Sequence, residues 1–509
     1  MDLHGENFIF GEIGAETTSE KTFEGEVVIA DYLSDALRII KTEAVPRIIS
    51  KRKGDDKLTV DCIVDIKIWY WSDDGKVLTV NKSESFTEEL SVKKCNDCVC
   101  VRTSVKTEYV NGQIINSRKL CYKAVISLSA RSYCKREATI VVPSGDNHME
   151  YAEKKISVSN MAAVSEKNIT VSDIIEVMPG KGEIKEILRT DATVFTVDLK
   201  SINNKIITRG QIEVKISYLN VNDRIETVTA EIPFSQIIDI DGMDEDCTPD
   251  LKYSVSNISA SPRTDENGEM KQISVDAEIS VLARGYKNSE YLIATDGYSM
   301  IYKCELESEK LEGETFFGSF NSSAADKGFI ELSDTLSSVI DVSAYATVIG
   351  VSRENDRINV NCAVNCNALI TNSANEILNV SRRFETSAPI VADIACEKIR
   401  IEPEAKITAV SYSISSDNRL DIKFDVSVDS LVFGGFTENV ITSVKINESL
   451  KLERKNNAPL VIYYAKKGDK IFNIAKAYRT SKRAIIDANS LSEDILSENK
   501  TIIIPIMKA

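Results

Sequence analysis

The sequence predicts a mainly β protein: three repeated antiparallel β-sandwich- or barrel-like domains, followed by a small C-terminal strand–helix–helix–strand (βααβ) domain. Three observations predict it. The first 450 residues are dominated by strands in which apolar and polar residues alternate, as in Ile212, Val214, Ile216 and Tyr218 against Glu213, Lys215 and Ser217. A period of two with a polar outer face is the pattern of antiparallel sheets wetted on one side. The strands also recur at a fixed long interval, and a helical period of 3.6 is found only in the last fifty residues.

The repeat is read from paired stretches. Ile126–Tyr133 resembles Ile279–Tyr286 and Val426–Phe433, at offsets of 279 − 126 = 153 and 426 − 279 = 147. A second strand family, at Lys57–Trp71, Lys205–Leu219 and Arg357–Thr371, is offset by 205 − 57 = 148 and 357 − 205 = 152. Phe86, Phe234 and Phe384 mark the same interval. Long strands are expected to begin at Leu58, Leu120, Ile206, Ile273, Ile358 and Leu420, two per unit. Polar turns precede them at Lys53-Gly54-Asp55-Asp56, Val110-Asn111-Gly112, Asn203-Asn204, Asp265-Glu266-Asn267-Gly268, Glu354-Asn355-Asp356 and Ser416-Asp417-Asn418. Gly, Asn and Asp supply the backbone angles that hairpins need. The expected domains are 1–150, 151–310 and 311–450, with a fourth at 458–509; a unit near 150 residues is far longer than a solenoid repeat.

In the fourth domain, Val461, Tyr463 and Ala465 alternate with Ile462 and Tyr464 in a short strand. Gly468-Asp469 turns the chain, and Asp469 is placed to cap a helix whose stripe is Ile471, Ile474, Ala475 and Tyr478. Ser481 opens a second helix that buries Ala484, Ile485 and Ala488, and Asn489 stops it through a left-handed conformation. Thr501–Ile504 closes the sheet, and Pro505 ends it.

Gly468, Asp469, Ile474, Ala475, Tyr478, Thr480, Ser481, Asn489, Leu491, Ile504 and Pro505 stand at the offsets of the LysM domain, which this stretch resembles. Lys470 and Ile471 depart from the usual Thr and Leu. The resemblance implies a groove for N-acetylglucosamine-containing glycans, with Gly468, Asp469, Lys470 and Ile471 on one side and Asn489, Ser490, Leu491 and Ser492 on the other. Further up the chain, Pro179-Gly180-Lys181-Gly182, Ile187–Ala192 and Ile232-Pro233-Phe234-Ser235 resemble the SPOCS domain, as does Ile394-Ala395-Cys396 leading into the Leu420 strand. This resemblance is clearest in the second unit, fair in the third and weakest in the first. SPOCS repeats followed by one LysM domain are the arrangement of spore coat morphogenetic proteins of the SipL type, counterparts of SpoVID. The resemblance therefore implies a non-enzymatic scaffold in the mother-cell cytoplasm, at the forespore surface, whose LysM partner is the coat-basement ATPase SpoIVA.

Composition and charge bear on the alternatives. The net charge is −16; residues 458–509 carry nine Lys/Arg and five Asp/Glu, or +4, leaving −16 − 4 = −20 for the rest. A strongly acidic body argues against nucleic acid as its partner. The first residues lack the basic start of a secretory signal, and no apolar run approaches the ~20 residues of a membrane helix. Eleven cysteines follow no repeat, so a disulfide framework is not expected. Cys95, Cys98 and Cys100 lack a fourth zinc ligand, so neither a metal nor another cofactor is expected. Cys362 and Cys366 share one strand face, as do Trp69 and Trp71, and both pairs read as packing residues.

With only His4 and His148, no Ser–His or Cys–His catalytic set can be assembled, and no phosphate-binding Gly-rich loop is present. Three functions remain in order: a scaffold that docks through its LysM domain and has surfaces for self-association; a LysM-mediated peptidoglycan- or cortex-binding protein; and, well behind, a wall hydrolase built on an unrecognised β domain.

Overall fold

The computed structural model describes all residues except 1, 5, 55, 93–96, 142–147, 355–356, 392–393, 395, 397, 417, 453–457 and 507–509. A short strand β1 (Asp2–His4) leads into three units of six strands each. The first unit holds β2 (Glu6–Val28), β3 (Ala36–Lys53), β4 (Lys57–Ser72), β5 (Val77–Ser91), β6 (Asp97–Asn116) and β7 (Lys119–Ile140). The second holds β8 (Met149–Glu176), β9 (Ile184–Ile202), β10 (Lys205–Asn220), β11 (Ile225–Asp239), β12 (Thr248–Arg263) and β13 (Gln272–Ser299). The third holds β14 (Tyr302–Glu331), β15 (Leu336–Glu354), β16 (Arg357–Asn372), β17 (Ile377–Ile390), β18 (Lys398–Ser416) and β19 (Arg419–Lys451). The fold is therefore mainly β, as the alternation predicts. The strand β14 runs through residue 310, where the sequence places a boundary; the strand sets themselves change over at Met300 and Ile301.

Every unit repeats one topology. The second, third and fourth strands form a meander, β3-β4-β5, β9-β10-β11 and β15-β16-β17. The first, last and fifth strands form the facing sheet, β2-β7-β6, β8-β13-β12 and β14-β19-β18. The six central strands are those whose starts the sequence marks, each beginning one residue earlier than expected. A central strand hydrogen-bonds on both edges and buries one face, so its alternation is the sharpest. In β4, Leu58, Val60, Cys62, Val64, Ile66 and Ile68 are all buried. One expected turn is wrong: Val110-Asn111-Gly112 lies inside β6, and the hairpin turns at Ser117-Arg118. Gly112 is there because a Cβ would lie 2.3 Å from the Thr42 hydroxyl of β3, so the glycine serves sheet-to-sheet approach.

The three units meet around a common axis. At one end Ile40, Leu188 and Ile340, equivalent by 188 − 40 = 148 and 340 − 188 = 152, each sit at a register shift of the ladder and pack together with Trp69, Leu219 and Leu369. A bulge inserts one residue and re-aims a side chain, here outward from each unit to its neighbours. The polar outer face is thus not wet where units touch. The Nζ of Lys67 donates to the Leu188 carbonyl at 2.6 Å, and that of the equivalent Lys215 donates to the Val342 carbonyl at 2.7 Å, so the first unit grips the second and the second grips the third. Trp69 is packed as expected, but in this junction rather than in its own unit's core.

Further along, Tyr133, Tyr286 and Phe433 occupy equivalent positions beside a charged cluster. Arg284 is fully buried and donates to Asp250 at 2.6 and 2.9 Å and to Glu402 at 3.2 Å. The Tyr133 hydroxyl donates to Glu402 at 3.1 Å and Arg400 donates to it at 2.5 Å, so Glu402 joins all three units. Burial pushes the Glu402 carboxyl up, but the guanidinium groups of Arg284 and Arg400 outweigh it and hold the carboxyl below its ordinary range. Beyond this cluster the outer halves of the long strands leave their sandwiches as three ribbons, two of them two-stranded and the third widened by β1, which pairs along β19. Phe10 and Ile140, Ile156 and Ile293, and Leu311 and Val440 pack between them.

The cysteines behave mostly as expected. Cys362 and Cys366 are wholly buried, and burial pushes the Cys366 thiol up to about 11. Cys134 departs from the expectation by forming a disulfide. Cys95 and the side chain of Cys98 lie outside the described residues, and no group of three His, Cys, Asp or Glu among the described residues could hold a metal.

Candidate functional site

The final module follows the third ribbon: β20 (Leu460–Ala465), α1 (Ile471–Tyr478), α2 (Lys482–Asn489) and β21 (Lys500–Pro505). The two strands pair antiparallel, from Leu460 opposite Pro505 to Ala465 opposite Lys500. Ala465, Ile471, Phe472, Ile474, Ala475, Ile485, Leu496, Ile502 and Ile504 form its core. The predicted α1 stripe is thereby present, with Phe472 added.

The eight residues expected to line a groove divide into exposed and supporting ones. Gly468 (φ 91°) and Lys470 are exposed on the first loop, and Ser490 and Ser492 on the second. Ile471 is wholly buried, so its side chain cannot meet a ligand. Asp469 does not cap α1; its carboxylate accepts the Lys466 N–H at 2.9 Å and closes the turn, and the N-cap position falls on Lys470. Asn489 does not take the left-handed position, which belongs to Ser490 (φ 51°). The Asn489 amide instead clamps β21, donating to the Ile503 carbonyl at 2.6 Å and accepting the Ile503 N–H at 2.7 Å. Leu491 packs against the core, and Ala488, expected inside, is exposed. The first loop is zipped to residues 494–496: the Ile471 N–H reaches the Asp494 carbonyl at 2.9 Å and the Leu496 N–H reaches Asp469 at 3.0 Å.

Two features were not foreseen. The module is docked on the second ribbon. Tyr298, only 1% exposed, joins the module's core, with its ring 5.4 Å from that of Phe472 and its hydroxyl donating to the Thr480 carbonyl at 2.7 Å. Burial, chiefly, raises the Tyr298 phenol well above its ordinary value. Lys476 bridges both Asp296 oxygens at 2.7 and 2.5 Å, and Arg479 donates to the Ser299 carbonyl at 3.1 Å. The second feature is the face of the β20–β21 sheet turned away from the helices. Leu460, Ile462 and Tyr464 are 56%, 65% and 79% exposed, and Ile503, opposite Ile462, is 41% exposed. Four large apolar side chains on one small open sheet form a patch of the kind that marks a protein contact. The sequence carried its signal: both alternating sets of β20 are apolar, whereas a strand with one wet face has one polar set.

His148 stands exposed in a turn at φ 59°, and the side chain of His4 lies outside the described residues. No helix among the described residues is long and apolar enough to cross a membrane.

Comparison with known families places these observations. The family model described as SipL, SPOCS domain matches residues 35–115 and again 183–263. The first stretch covers β3–β6, in the unit whose sequence resemblance is weakest, and the second covers β9–β12. The LysM domain model matches residues 463–505, the core of the docked module. No curated protein and no solved structure matches the chain.

Proposed function

Taking as premise that the chain carries two SPOCS domains of the SipL kind and a LysM domain, we infer that it is a non-enzymatic morphogenetic scaffold of the spore coat. It works from the mother-cell cytoplasm at the forespore surface, and its LysM domain docks onto a SpoIVA-like coat-basement ATPase. Both domain families are non-catalytic, which supports a scaffold. The observation that carries protein docking is the bare apolar face of Leu460, Ile462, Tyr464 and Ile503. A sugar groove between loops does not need such a face; burial against another protein does. The surrounding +4 charge favours an acidic rim on that partner.

The test is co-purification with the basement ATPase. Because these side chains are exposed, Ile462→Asp combined with Tyr464→Glu leaves the module folded and is expected to weaken binding more than tenfold. Undiminished binding after deletion of 458–509 overturns the reading. The alternative is a LysM-mediated peptidoglycan-binding role, through the exposed loop residues Gly468, Lys470 and Ser492. Retention of the full chain on purified sacculi, competed by chitin oligomers and insensitive to Ile462→Asp, would favour it instead.

A further inference from the structure

We propose that the outer face of the β2–β7–β6 sheet in the first unit is a binding groove for a short, uncharged saccharide. A groove of about 480 Å³ lies there, within the range that holds small ligands. Two rows of side chains cross it, set by the strand register. Glu24, Lys123 and Asn111 stand side by side in one row, and Glu26, Cys121 and Gln113 in the next. Successive outward residues on a strand are roughly 6.6 Å apart. The short Cys121 leaves the second row open in its middle, between a carboxylate and a carboxamide. Tyr109, 49% exposed, lies along the same wall on β6 and offers a ring for the apolar face of a sugar.

The floor is fixed from below. The Tyr122 hydroxyl passes under β2 to Glu84 of β5, 2.6 Å away, and a Cβ on Gly25 would sit 2.4 Å from that hydroxyl. The charges balance within the groove and its rim: Lys123 pairs with Glu24 at 2.6 Å and Lys119 pairs with Glu26. A balanced site has no preference for phosphate or for nucleic acid, while adjacent carboxylates and carboxamides offer the acceptors and donors that neighbouring hydroxyls require.

The other two units serve as internal controls. At the positions equivalent to Asn111 and Gln113 the second unit has Ser259 and Ser261, and the third has Ser411 and Ser413. Tyr109 is matched by Asn257 and Ala409, and Glu26 by Ile174 and Phe329. The same sheet forms with all of these residues, so the fold does not require the long amides and the tyrosine of the first unit.

The inference is independent of the LysM reading. Calorimetric titration of the full chain with cellobiose, maltose and chitobiose is expected to show at least one binding at a Kd on the order of 1 mM or tighter. Asn111→Ser with Gln113→Ser, or Tyr109→Ala, should weaken it at least tenfold without changing the melting midpoint, because serine and alanine occupy those positions in the other units. Lys470→Glu, in the exposed first loop of the LysM domain, should leave it unchanged. Absence of binding by all three sugars overturns the proposal, as does binding indifferent to both groove variants.

Discussion

Two junctions hold this molecule together, and they are built differently. The axis that joins the three β units buries Arg284 completely among Asp250, Glu402, Tyr133 and Tyr286. The joint that holds the LysM module to the second ribbon rests on one buried tyrosine, on the Arg479 bond to the Ser299 carbonyl and on a Lys476–Asp296 pair whose side chains are 39% and 40% exposed. A buried charge whose partner is removed is left uncompensated, so the axis cannot open at one contact and survive. A pair that is partly solvated exchanges protein partners for water at little cost. The contrast implies three units that behave as one body and a module that can detach while the body stays folded.

The sharpest way to break that contrast is Arg284→Ala. It removes both guanidinium hydrogen bonds to buried Asp250 and one of the guanidinium partners of Glu402, and should cost about 3–5 kcal/mol. If the units are one body, chemical denaturation of the full chain will show a single body transition moved to lower denaturant. A separate early transition, with the rest unmoved, would show instead that the units unfold independently.

Tyr298→Ala tests the other side. It removes an aromatic ring from the module's core and the hydroxyl from the Thr480 carbonyl, at a cost of about 3 kcal/mol. That loss should be confined to the joint. Amides of α1 and α2 are expected to exchange faster, with the body transition unmoved. A body transition displaced as far as by Arg284→Ala would make the two junctions equivalent.

The physical difference between these regions also explains what could be read from the chain. The six central strands were legible because each pairs on both edges and buries one face, which forces strict alternation from Leu58 through Ile68 and again from Leu420 through Val428. The edge strands were less so: Val110–Gly112 reads as a turn because Asn and Gly are turn formers, but the glycine is there for the approach of Thr42. The axis was not legible at all. Lys67, Lys215 and Arg284 occupy polar or repeat positions that look solvated until a second unit closes over them. In the LysM module the offsets of the motif located every element, yet Asp469 and Asn489 turned out to serve turn and strand. A motif residue preserved for scaffolding and one preserved for a ligand look identical in a single sequence. The docking tyrosine lies more than 160 residues before the module, and no local pattern connects the two.

The smallest expected effect sharpens the comparison furthest. Lys476 and Asp296 make the shortest polar contact of the joint, two oxygens at 2.5 and 2.7 Å, and short distance suggests strength. Solvent decides otherwise. With about two-fifths of each side chain in water, the pair should contribute about 0.5 kcal/mol. Lys476→Ala should therefore leave the module docked, with amide exchange in α1 accelerated about twofold, and the difference should shrink as salt rises through ~0.5 M. The Arg284→Ala effect should persist at the same salt, since its partners are shielded from ions by protein. A double-mutant cycle between Lys476→Ala and Asp296→Ala isolates the pair. A coupling above about 1.5 kcal/mol that resists salt would place this joint in the same class as the axis, and the LysM module would then be a fixed part of the body.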